Sequence, residues 1–253
     1  MKVNSFFVII IFLISFFGKQ LLSGLFPLLI TNPLLKLLYF YAWWFIPVMI
    51  YLLFTFRQSK ILYALGLNNN VLKGFLFALG AVSPMLLSAP FIGSFNDQQT
   101  FISFIHSTVF AGFMEEFLFR GFLFGLLFRY CGWGFIPAGT LGAIIFGLGH
   151  VYQGHDIISV LAVFFVTAVG ALWFSWLFIE WNYNLWIPIF LHVLMNMSWS
   201  VFQLDDNAAG GLYSNLFRAV TIAITVIITL KFKKTEGLLL SKKIFWKNQE
   251  TII

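Results

Sequence analysis

Charge is what this sequence has least of. Nine acids and fifteen bases make up 9% of its 253 residues, whereas 60% are hydrophobic and 34 are phenylalanine. So few ionised side chains cannot coat a globule of this size in water, which excludes an ordinary soluble domain and leaves lipid as the medium of its outer surface. Cysteine is nearly absent too: Cys131 alone cannot close an internal disulfide and is read as a small apolar residue. Repeats and low-complexity linkers are also missing, so 1–253 is expected to be a single integral membrane domain. No Ala-x-Ala-like cleavage signal follows the first apolar run, and apolar character resumes at Leu21, so an uncleaved first membrane helix is expected. The net charge of +6 is not spread over a face. Lys231, Lys233, Lys234, Lys242, Lys243 and Lys247 bunch behind the last apolar segment, a pattern expected of a basic cytoplasmic tail over 231–253 beside anionic headgroups rather than of a nucleic-acid surface.

What is abundant is apolar sequence in lengths that suit a bilayer. A helix needs roughly 20 residues to cross the hydrocarbon. Polar and Pro/Gly clusters divide the chain into eight candidate spans: 3–30 (interrupted around Gly18 to Gln20), 34–56, 71–95, 101–128, 135–150, 157–179, 185–202 and 212–230. The expected fold is therefore all-α, a polytopic membrane helix bundle. Arg57, Lys60, Lys73, Arg129 and the lysine tail mark one side, whereas the connections holding Asn96 and Asp97, His155 and Asp156, and Asp205 and Asp206 contain no base. This distribution predicts both termini in the cytoplasm. Lys19 and Arg218 depart from it and are expected to snorkel to an interface. The tryptophans, including Trp43, Trp44, Trp173, Trp176, Trp181, Trp186 and Trp199, are expected mostly as interfacial anchors.

Ionisable groups within spans are the exception to this apolar pattern. Each costs at least about 2.5–3.5 kcal/mol at the bilayer centre, which makes it a functional candidate. Glu116 and Arg120 lie four residues apart with the acid first, the favourable order for an ion pair on one helix face. Glu115 is turned about 100° away and is left over. His150 ends "FGLGH", one turn beyond Phe146, among glycines 142, 147 and 149 that would let another backbone approach. His192 and Asn196 share a face in "HVLMN", above Pro188, which is expected to loosen the helix below them. At 1.5 Å per residue, Glu115 lies about 21 Å above Arg129, His150 about 22 Å above Phe135 and Asn196 about 21 Å above Asn182. These groups converge on one layer. His106, His155, Glu180, Asp205 and Asp206 fall near predicted loops and are read as ordinary surface groups.

An unpaired carboxylate beside a histidine can hold and deprotonate a water, and His192 with the Asn196 amide could donate to an oxyanion. That set suits peptide hydrolysis in an intramembrane cavity. The same residues offer an alternative: Glu115, His150 and His192 are a plausible zinc set with an open position for water. The residues alone leave both open, zinc or no cofactor.

Together, "EEFLFR", "FGLGH" and "HVLMN" resemble the EExxxR, FxxxH and HxxxN motifs of the CAAX protease and bacteriocin-processing family of intramembrane endopeptidases, also called the Abi or CPBP family. The resemblance covers roughly 101–202, spans four to seven, as a catalytic core. It implies Glu115 as general base, His150 as its partner on the water, His192 with Asn196 as water-binding or oxyanion groups, and Glu116 and Arg120 in support. It further implies a bacterial plasma-membrane metalloprotease or glutamate-dependent protease acting on a membrane-associated peptide or protein. The sequence lacks HExxH, GxSG and GxGD, which disfavours the other intramembrane protease types. Two alternatives use the same polar cluster differently: a non-catalytic bacteriocin immunity or peptide-binding protein, and a proton-coupled transporter.

Overall fold

The computed structural model describes residues 3–25, 30–234, 237–240 and 244–245, which form helices and no strands. Its elements are α1 (Ser5–Leu25), α2 (Pro33–Thr55), the short α3 (Ile61–Leu65), α4 (Val71–Ile92), α5 (101–130), α6 (Phe135–Leu148), α7 (Ile157–Glu180), α8 (Trp186–Phe202) and α9 (Leu212–Phe232). The eight long helices follow the eight apolar segments, because the polar clusters between those segments supply the caps. Asn32 accepts from Leu34 and Leu35 N–H ahead of Pro33, Asn70 from Lys73 N–H, and Thr100 from Ser103 N–H. Asp156 and Ser159 form a reciprocal capping box at the start of α7.

Five helical stretches are long and apolar enough to cross a membrane: Pro33–Thr55, Val71–Ile92, Phe135–Gln153, Ile157–Glu180 and Leu212–Phe232. The surface agrees. Phe54, Leu87, Phe91, Ile157 and Leu212 are largely exposed. Holding such side chains in water rather than in apolar surroundings would cost about 1.5–3 kcal/mol each, so this belt is lipid contact. The interior is where polarity collects, with Glu116, Arg120, Glu180, Asn184, Thr225 and Thr229 all buried. The protein is an integral, multi-pass membrane protein.

Several expectations are corrected. α1 runs without a break through Gly18, which backs onto the Trp43 ring. Pro188 lies in the first turn of α8, where its missing N–H is unneeded, so it begins the helix rather than loosening it. Trp44 and Trp181 are buried, not interfacial. Trp173 and Trp181 donate to Thr225 (3.1 Å) and Thr229 (2.9 Å), tying α7 to α9. Glu180 is fully buried and accepts the N–H groups of Leu239 (3.0 Å) and Leu240 (2.9 Å), so part of the segment after α9 docks on the end of α7. Lys233 belongs to that packed region, buried and close to the Phe232 ring. Arg218 does not snorkel; it donates to Asn215 Oδ1 and Ala208 O, both at 2.9 Å, and stacks on Trp199. The Lys19 side chain and Lys242, Lys243 and Lys247 lie outside the described residues.

Candidate active site

The site is assembled mainly by α5 and α8. α5 is not a plain α-helix: His106–Phe110 and Phe117–Phe124 are π-helical, on either side of an α-helical Ala111–Glu116 that carries both glutamates. Such widened turns release backbone carbonyls from the regular ladder. One is used at once: Asn196 of α8 donates its amide to Ser107 O at 2.9 Å. Ser107 Oγ also meets Ser200 Oγ at 2.9 Å, and Gln99 donates to the same Ser200 hydroxyl. This polar seam fixes α8 against the first half of α5. Closer to the glutamates the two helices meet at Gly112, where a Cβ would stand 2.6 Å from Val193 Cγ2 and 2.9 Å from Val193 N. Only glycine permits that approach.

With α8 held so close, His192 enters between the two carboxylates. Its Nδ1 lies 2.7 Å from Glu116 Oε1, the same oxygen that accepts from Arg120 Nη1 at 3.0 Å. Its Nε2 faces Glu115 Oε2 at 3.8 Å. Glu116 and Arg120 are 0% and 2% exposed, so this pair is shielded from water, and Phe146 and Phe174 sandwich the guanidinium with their rings 4.7 and 5.4 Å away. The pair expected from the four-residue spacing is present, but Glu116 has a second partner that spacing did not reveal. Glu115 differs. It makes no hydrogen bond among the described residues, and its Oε2 is enclosed without a partner.

Glu115, Arg120, His150, His192 and Asn196 all line one cavity of about 1110 Å³. The expected convergence on one layer is therefore a shared cavity wall rather than a contact network. His150 bonds through Nδ1 to Phe146 O at 2.7 Å, which makes Nδ1 the donor and leaves Nε2 free to accept. No hydrogen bond or ion pair among the described residues joins His150 to Glu115 or His192. Of the three glycines before it, Gly147 meets another helix closely, with its Cβ position 3.0 Å from Phe164 O. His106, Asp205 and Asp206, read from sequence as surface groups, line the same cavity, as do Arg218 and Tyr41. Phe174, Ser107 and Tyr41 were missed; nothing in a Phe-rich membrane sequence marks one ring or hydroxyl as facing a site on another helix. The cavity wall also includes Phe165 and Val169 of α7, which are 59% and 61% exposed, so the cavity reaches the apolar outer belt.

Residues 97–198, which contain the whole Glu–His–Arg assembly, match the profile of the type II CAAX prenyl endopeptidase Rce1-like family. This segment is thus similar to the CAAX protease family. The match spans α5 to most of α8, leaving α1–α4 and α9 outside it. No curated protein and no solved structure matches. The match supports an intramembrane protease. Zinc is a separate matter of donor geometry: among the described residues no three His, Cys, Asp or Glu side chains group as metal ligands. The bond from His192 Nδ1 to Glu116 leaves Nε2 as that ring's available donor, and His150 is not grouped with it.

Proposed function

We propose that this protein is a CAAX-type intramembrane endopeptidase that cuts a membrane-anchored peptide or protein with a water activated by Glu115. The observation that carries the reading is the Glu115 carboxylate, unbonded and on the cavity wall, 3.8 Å from an imidazole nitrogen that the buried Glu116–Arg120 pair orients. Because Oε2 is enclosed beside His192, the other carboxylate oxygen, Oε1, is the one left to face the cavity and hold the nucleophilic water. Glu115 takes the proton as the water oxygen adds to the scissile carbonyl. His150, with a free Nε2, accepts a hydrogen bond from the second water hydrogen, which stays on the oxygen that adds. His192, Asn196 or both stabilise the oxyanion. Collapse breaks the C–N bond, and the proton held on Glu115 passes to the departing amine. Glu116 and Arg120 position His192 and do not touch the substrate.

The substrate class follows from the cavity, which joins a polar wall to the lipid-facing side chains Phe165 and Val169 and so suits a peptide with an apolar anchor. A suitable probe is an internally quenched peptide ending in a farnesylated cysteine and three further residues, presented in detergent micelles. Glu115→Gln keeps shape and hydrogen bonding but cannot take a proton; cleavage is expected to fall about 10³-fold, with His150→Ala also strongly impaired at normal abundance. Full cleavage by both variants would remove Glu115 and His150 as the hydrolytic groups, whereas a wild type that leaves the probe uncut would favour an immunity or peptide-binding role. Dialysis of the wild type against a chelator is expected to leave cleavage intact.

A further inference from the structure

Tyr41 is on α2, far outside the matched segment, yet its side chain forms part of the wall that carries Glu115, His150 and His192. The ring is tightly held. It is 5% exposed, stacks on Phe110 with centroids 5.3 Å apart, and stands 5.8 Å from the His106 ring and 5.6 Å from Trp44. Phe110 and His106 belong to the π-helical stretch that leads into the glutamate turn, so the packing that fixes Tyr41 also fixes its place relative to Glu115.

A buried phenol normally finds a partner for its hydroxyl. This one has no hydrogen bond among the described residues, and its oxygen is not among the fully enclosed polar atoms, so the hydroxyl opens onto the cavity. It lies close enough to feel the charge of Glu115 but is not bonded to it. A rigid ring thus presents one unused donor to the same cavity that the unused base lines.

We propose that the Tyr41 hydroxyl donates a hydrogen bond to the oxyanion formed when water attacks the scissile carbonyl, making it a catalytic residue contributed by a helix outside the family segment. The inference rests on the endopeptidase reading above. As the water oxygen bonds to the carbonyl carbon and its proton moves to Glu115, the carbonyl π electrons move to oxygen; Tyr41 O–H stabilises that charge without giving up its proton. The alcohol side chain is silent in the ground state and matters most at the charged intermediate, the signature of a preorganised oxyanion donor.

Tyr41→Phe keeps the ring and all its packing and removes only the donor. With the farnesylated quenched peptide, kcat is expected to fall about 10²-fold with KM within about twofold and an unchanged unfolding temperature. Tyr41→Phe cleaving within twofold of wild type, while Glu115→Gln is inactive, would overturn this inference alone. An unfolding temperature that drops in step with activity would also overturn it, assigning Tyr41 to packing. Full cleavage by Glu115→Gln would instead overturn the Glu115-activated mechanism, and an inert wild type the endopeptidase reading, and either would take this inference with it.

Discussion

At the scale of single residues, the two adjacent glutamates do different work because one histidine reaches both. Glu116 shares Oε1 between Arg120 and His192, while Glu115 keeps its oxygens unbonded. The i, i+4 spacing made the Glu116–Arg120 pair legible, and the turn angle made Glu115 the residue left over. His192's position between them was not legible, since spacing along one helix says nothing of which nitrogen arrives from another. The aromatic sandwich around Arg120 is likewise hidden in a sequence with phenylalanine everywhere. A charge so enclosed should be expensive to orphan. Arg120→Met, which keeps most of the side chain's bulk, leaves Glu116 buried with half its compensation, and a loss of about 3–5 kcal/mol is expected. The check is the unfolding temperature in detergent and the protein's abundance in the membrane; Arg120→Met paired with Glu116→Gln should recover part of the loss.

At the scale of elements, α5 is the helix whose character sequence could not supply. Its apolar run announced one span, but not the π-helical turns over His106–Phe110 and Phe117–Phe124, where Asn196 bonds Ser107 O and Phe146 and Phe174 lie over Arg120. Pro188 shows the converse: a residue expected to disturb α8 sits where it is harmless, because helix boundaries decide what proline does. The contact of α5 and α8 at Gly112 gives a direct prediction. Gly112→Val places branched carbons against the Val193 backbone and should push His192 away from both glutamates. Cleavage of the farnesylated probe is expected to drop at least 10²-fold, since misplacement by about 1 Å is enough for such a loss. Gly112→Ala should be milder in the same assay, and Gly80→Ala, where nothing lies within 4 Å, should match wild type.

At the scale of the whole molecule, hydropathy alone divided the chain into the segments that became its eight long helices, because a bilayer tolerates few other patterns. What it could not show was how the ends close. The docking of Leu239 and Leu240 on Glu180 and the Trp–Thr bonds between α7 and α9 join parts with no shared signal in sequence. Nor could it show that Phe165 and Val169 serve at once as outer belt and cavity wall. That double role sets the units in which the proposed cleavage should be measured. A substrate that arrives sideways through the bilayer is encountered in two dimensions, so its effective concentration is a mole fraction among lipids and not an amount per litre. Adding inert phospholipid at fixed enzyme and fixed total anchored substrate should slow cleavage in proportion to the dilution of the surface, while enlarging the aqueous volume tenfold should leave the rate unchanged. A rate that followed aqueous volume instead would mean that substrate reaches Glu115 from water.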